Sequence, residues 1–168
     1  RISAGSASDV PSTDGGADWE ANPTGGAYTG TTYSVNTGNN FNSGIPYAGR
    51  HSSIPAYIDQ ATFDGIFARE RYDTASAPEM EFSIPLVNGT YTVNLFMGNS
   101  YAGTSQPGSR IFDILIEGAI VENDLDLITA FGHRVAGMRS YPVTVSDGVL
   151  NIAFGHVVEN PLVNAIEV

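Results

Sequence analysis

Glu79-Met80-Glu81-Phe82-Ser83-Ile84-Pro85-Leu86-Val87-Asn88-Gly89-Thr90-Tyr91-Thr92-Val93-Asn94-Leu95-Phe96-Met97 decides the fold class of this chain. Two runs of alternating apolar and polar residues flank Asn88-Gly89. That dipeptide best supports a two-residue hairpin, because both positions tolerate positive φ. The stretch therefore reads as a strand over 79–86, a tight turn and a half-buried strand over 90–97. A Gly/Ser/Asn loop from Gly98 to Ser109 follows, with Tyr101 near its start. Arg110-Ile111-Phe112-Asp113-Ile114-Leu115-Ile116-Glu117-Gly118 closes the unit, and alternation puts Phe112, Ile114 and Ile116 on one apolar face.

The same logic recurs outward. Tyr141-Pro142-Val143-Thr144-Val145 and Val149-Leu150-Asn151-Ile152-Ala153-Phe154 flank Asp147-Gly148, a second tight-turn signal. Residues 1–5 and Asn164 to Val168 read as terminal strands, and Ile120 to Ile128 as an extended segment. Ala61 to Tyr72 has a mixed period that fits a short strand or a helical turn. Residues 6–60 are irregular and rich in Gly, Ser, Thr, Asn and Pro, and a segment that long should contain short strands and ordered turns. Eight or more short strands with turn chemistry between them give an all-β fold. The expected architecture is an antiparallel β-sandwich (a jelly roll) whose long irregular loops form an edge cleft, with residues 1–168 as one domain. Terminal strands at both ends suit a module inserted or appended within a larger protein.

Bulk composition narrows the partners. A chain of 168 residues buries roughly 70% of its extended surface, enough for a real core. Eighteen acidic residues against 7 basic ones, all arginine, give a net charge of −11. A nucleic-acid binder needs clustered positive charge, so that class is disfavoured, and anionic membranes with it. No apolar run approaches the ~18 residues of a membrane span. The N-terminus lacks a signal-peptide pattern, so the chain reads as an excised domain or a mature product. Without cysteine there are no disulfides, thiolate nucleophiles or Cys-based zinc sites. The acidic, lysine-free, cysteine-free composition points to an extracellular or cell-surface bacterial protein.

A stiff sandwich offering a polar loop with an exposed aromatic has the layout of a sugar-binding module, which favours binding over catalysis. The ordered pieces Arg1-Ile2-Ser3-Ala4-Gly5, Trp19, Glu70-Arg71-Tyr72, Asn88-Gly89-Thr90-Tyr91-Thr92-Val93, Arg110 to Ile114, Asp124-Leu125-Asp126-Leu127 and Asn160-Pro161 to Ala165-Ile166 span nearly the whole chain. Together they resemble the malectin and malectin-like domains. The resemblance implies a non-catalytic β-sandwich that holds glucose-containing oligosaccharides in a loop cleft. It places binding tyrosines at Tyr72 and Tyr101, and a third in the region of Tyr47. Ala102 stands where the family has a phenylalanine, and Glu159 where it has an aspartate. These departures separate the particular ligand, though not its class, from that of animal malectin.

Sugar recognition needs an aromatic platform under the C–H face of a pyranose and fixed polar partners around its hydroxyl rim. Tyr72 and Tyr101 supply rings and phenols; Arg71, Asp73, Asn99, Glu159 and Asn160 are the polar candidates. Trp19, alone among small residues, reads as a core plug, whereas Phe41 cannot be ranked from sequence. Asp9, Asp14, Asp18, Glu20, Asp124 and Asp126 offer oxygens for a structural calcium, though acidic loops are usually only solvated. No other cofactor is called for, and no catalytic signature appears around His51, His133 or His156. The chain is expected to be a non-enzymatic module for a glucan- or galactan-type chain, tethered to a catalytic or adhesin domain. The rivals are a calcium-dependent adhesion or structural module and, behind it, a glycan-active hydrolase.

Overall fold

The computed structural model describes residues 1–42, 47–75 and 77–168; positions 43–46, within the irregular segment, and 76 lie outside the described residues. One six-stranded sheet runs β2 (Glu20–Ala21), β1 (Ile2–Ser3), β15 (Ala165–Glu167), β9 (Gly89–Gly98), β12 (Val135–Val145) and β6 (Gly49–Arg50). A second runs β11 (Ala119–Asp126), β10 (Ile111–Ile116), β13 (Val149–Val158), β8 (Met80–Pro85), β4 (Ser34–Val35) and β3 (Tyr28–Thr29). A small third sheet joins β14 (Leu162–Val163), β7 (Arg69–Tyr72) and β5 (Asn39–Asn42). The fold is an all-β sandwich, and β1 pairs with β15 through Ile2 opposite Ile166, so the two terminal strands lie side by side.

The core is where alternation puts it. Phe112, Ile114 and Ile116 of β10, Leu150, Ile152 and Phe154 of β13, and Met80, Phe82 and Ile84 of β8 are buried against Val93, Leu95 and Met97 of β9. Each large apolar side chain so buried contributes about 1.5–3 kcal/mol relative to exposure. The run Leu95-Phe96-Met97 breaks alternation because both faces of β9 are covered there. Phe96 turns outward into a second cluster with Trp19, Ile58, Ile66 and Phe67, built on α1 (Gln60–Phe67). The sequence 61–72 thus holds both elements its mixed period allowed. Asp59 starts α1, its Oδ1 accepting from Thr62 N at 2.8 Å, and β7 follows directly. The segment 120–128 is β11 followed by α2 (Leu127–Ala130).

Neither Asn88-Gly89 nor Asp147-Gly148 makes the expected hairpin. Strands β8 and β9 lie in different sheets, as do β12 and β13, so each turn carries the chain across the sandwich. The two crossings brace one another: Leu86 N donates to the Gly148 carbonyl at 3.0 Å and Asn88 Nδ2 to the Ser146 carbonyl at 2.8 Å. Turn chemistry fixes where the chain reverses, whereas strand pairing depends on the longest ladder on offer. For β9 that ladder is β12, matched from Val145↔Gly89 to Ala136↔Gly98. The true two-residue hairpin is Glu117-Gly118, with φ of 53° and 74°, linking β10 to β11. Among the described residues no helix is long and apolar enough to cross a membrane.

Candidate functional site

Strand β7 organises the site because its residues alternate between two environments. Glu70 and Tyr72 point into a cleft of about 320 Å³, which Phe41 of β5, Thr74, Tyr101, Arg110, Glu159 and Asn160 complete. Phe41 sits opposite Glu70 in the β5–β7 ladder. Tyr101 starts the tight 102–104 turn after β9 and is 51% exposed. Arg110 immediately precedes β10, and Glu159 and Asn160 immediately follow β13. Strand ends from both large sheets and two strands of the small sheet therefore converge on one rim.

The floor of the cleft is charged. Arg110 is buried between two carboxylates, with Nη1 3.9 Å from Glu70 Oε1 and Nη2 3.3 Å from Glu159 Oε2. Its Nε and Nη1 are buried and have no hydrogen-bond partner among the described residues. Burial pushes the Glu70 carboxyl up to about 7, against the pull of the Arg110 guanidinium. Glu159, with φ of 61°, also accepts from Asn160 N at 2.7 Å. The cleft thus combines three aromatic rings with a carboxylate–guanidinium–carboxylate row.

Of the residues singled out from sequence, Tyr72, Tyr101, Glu159 and Asn160 come together here. Of the other four, Arg71, Asp73 and Asn99 are buried and Tyr47 is half-buried, and none lines the cleft. Arg71, on the opposite side of β7, is completely buried and ties down the 22–40 loops. It donates to Asn22 Oδ1 at 2.5 Å, Asn40 Oδ1 at 3.0 Å and the carbonyls of Thr24, Thr37 and Gly26. Asn99 is also fully buried; its Nδ2 donates to Thr104 O at 2.7 Å and so holds the turn that carries Tyr101. Asp73 is buried, and its backbone N donates to Pro161 O at 3.2 Å. Tyr47 packs on Phe67 with ring centroids 5.4 Å apart and donates its hydroxyl to Gly98 O at 2.8 Å; burial raises its pKa.

Sequence reasoning passed over Glu70, Arg110, Phe41 and Thr74. For Glu70 the signal was present: a strand that turns Tyr72 toward a ligand turns residue 70 the same way and residue 71 the other way. The acidic residues read as calcium candidates have protein donors. Asp9 accepts from Ala21 N at 2.8 Å, Asp18 from Ser12 N at 2.8 Å and Asp14 from the Arg1 guanidinium at 2.6 Å. Glu20 accepts from Thr32 Oγ1 at 2.6 Å, and Asp126 from Ile128 N at 2.9 Å as the cap of α2. One set of three metal-ligating side chains is brought together among the described residues: Asp73, Glu79 and His156.

A β-sandwich with an aromatic-rimmed, hydrogen-bonding cleft at its edge defines a class of binding module. The chain belongs to the malectin family of carbohydrate-binding domains, whose Malectin domain model matches residues 1–166. Malectin-B of Xenopus laevis is 30% identical over 88 residues, which cover 52% of this chain and 30% of that protein, so the match spans less than a third of the relative. In fold, the chain is similar to the ANX2 ectodomain from Arabidopsis thaliana, with a TM-score of 0.73 and 13% identity over 98% of this chain and 47% of that one. The plant receptor-like kinase FER gives 0.73 and 16% over 98% and 47%. A Bacteroides uniformis β-glucuronidase gives 0.72 and 18% over 98% and 17%. At such identities the likeness is one of architecture.

Proposed function

We propose that this domain holds a glucan- or galactan-type oligo- or polysaccharide in the cleft, without catalysing its breakdown. The observation that carries the proposal is Tyr72 and Tyr101 lining one cleft above the Glu70–Arg110–Glu159 row. The phenol rings stack on the C–H face of a pyranose, while Arg110 donates and Glu159 and Asn160 accept around the hydroxyl rim. A single guanidinium between two carboxylates favours neutral sugars over uronic acids. The volume lies at the small end of the roughly 300–1,000 Å³ of ligand pockets, which suits a short stretch of chain.

The cellular role follows from the same reading. The domain works outside the cell or at its surface and keeps glycan close to a catalytic or adhesin partner in the same polypeptide. Support comes from the structural neighbours, where the matching fold occupies only 17% of the glucuronidase chain and 47% of the ANX2 ectodomain. A calcium-dependent adhesion module would have to recruit the acidic loops, whose carboxylates are engaged as described. Titration calorimetry with a panel of neutral oligosaccharides, chosen from a glycan array, tests the proposal. Tyr72→Ala and Tyr101→Ala each remove most of the affinity while leaving the circular dichroism unchanged. Wild-type-like binding by both variants rejects the site, and sugar release from a polysaccharide by the isolated domain rejects the non-catalytic role.

A further inference from the structure

Away from the cleft floor, the segment between β7 and β8 meets the end of β13. His156 continues the inward-facing series Leu150, Ile152 and Phe154 to the rim of the sandwich, where it faces Glu79 and Asp73. One ligating atom from each of the three lies within 4.8 Å of the others. His156 Nδ1 is 2.5 Å from Glu79 Oε2, and Nε2 is 3.2 Å from the backbone carbonyl of Asp73. A carbonyl only accepts, so Nε2 carries a hydrogen, and Nδ1 is the nitrogen turned toward the carboxylates. Asp73 Oδ2 is buried and has no hydrogen-bond partner among the described residues. Nδ1 and the two carboxylates thus converge on one point, where a proton between Nδ1 and Glu79 serves only that pair and a cation in its place would also serve the unpaired Asp73 oxygen.

We propose that Asp73, Glu79 and His156 bind a divalent transition cation of the zinc class, separately from the sugar cleft. One imidazole nitrogen with two carboxylate oxygens suits borderline-soft ions, whereas calcium selects oxygen alone. An Nε2–H donated to a backbone carbonyl is the outer-shell bond that commonly fixes a ligating histidine. With ligand distances of about 2.0–2.2 Å, a movement of about an ångström closes the three atoms on an ion and leaves a fourth position for water. The ion staples the segment bearing Thr74, in the wall of the cleft, to the strand that runs on to Glu159 and Asn160.

The test uses the metal-stripped domain with any affinity tag removed and needs no sugar. Calorimetry with Zn²⁺ should show one saturable site per chain, and saturating Zn²⁺ should raise Tm by roughly 5 °C. Co²⁺ should give the visible absorption of a four-coordinate nitrogen–oxygen site. His156→Ala should weaken Zn²⁺ at least about tenfold and abolish the cobalt spectrum. Glu79→Gln, conservative in shape and at a partly exposed position, gives the same result if the histidine variant folds poorly. No saturable Zn²⁺ binding by the wild type, undiminished binding by Glu79→Gln, or Ca²⁺ binding as tight as Zn²⁺ overturns the assignment and leaves an ordinary His–Glu ion pair.

Discussion

A β-carbon added at Gly103 would stand 2.5 Å from Cε1 of Tyr101, so the backbone of the 102–104 turn lies directly against the phenol ring. The obstacle is the mobile end of an exposed side chain, so substitution moves the ring and leaves the backbone in place. Gly103→Ala should therefore lower sugar affinity on the order of tenfold, about 1.4 kcal/mol, with Tm nearly unchanged. Calorimetry paired with a thermal melt reads both; full affinity in the variant would show that the ring's present position does not matter.

Arg71 and Tyr72 are neighbours with opposite duties. Removing the guanidinium of the fully buried Arg71 takes a donor from the carbonyls of Thr24, Gly26 and Thr37 and from the amide oxygens of Asn22 and Asn40. Arg71→Met should cost about 3–5 kcal/mol and lower Tm by roughly 10 °C. Arg71→Lys should recover little, because one ammonium cannot reproduce the planar fork. Differential scanning calorimetry measures both, and a near-native Tm for Arg71→Met would deny the knot its structural role.

Glu70 makes stability depend on pH. Its carboxyl titrates near 4.5 unfolded and at about 7 folded, so between those values the native state binds the extra proton. The slope of unfolding free energy with pH is then negative: this contribution is complete below pH 4.5, is lost as pH rises to about 7, and is flat above. The loss is at most about 3 kcal/mol. Glu70→Gln should abolish that fall and be the more stable form at pH 8, as urea titrations from pH 4.5 to 8 will show. Identical pH profiles for the two proteins would contradict the burial argument.

Trp19 is a plug, fully buried and set edge-on to Phe96 with ring centroids 5.4 Å apart. Trp19→Ala should cost about 3–5 kcal/mol through the cavity it leaves. The folded fraction should bind sugar with wild-type affinity, which calorimetry well below the melting transition will measure. Lost binding by folded protein would return the tryptophan to the ligand.

The fold class was legible because alternation is local. Phe112, Ile114 and Ile116 announce a core face wherever their strand goes, and so do Leu150, Ile152 and Phe154. Strand partnership was not legible, because it is a competition between distant segments. Asn88-Gly89 and Asp147-Gly148 give correct reversals and the wrong neighbours, while Glu117-Gly118 turns tightly with a residue that favours no such turn. The cleft divides along the same line. Tyr101 is visible as a ring in a polar loop and Tyr72 through the family resemblance, and strand parity would have exchanged Arg71 for Glu70. Arg110 and Phe41 reach the rim only through sheet pairing, which no nearby residue specifies.

The braced crossings beside Val87 give the sandwich a blunt heel at the opposite end of β9 from the cleft rim. Ten residues of extended chain separate them, roughly 30 Å. Val87 is 82% exposed, and the chain has no cysteine. Val87→Cys would accordingly give this domain a single thiol, so that it can be fixed to a sensor chip or labelled with a fluorophore while the cleft rim stays open.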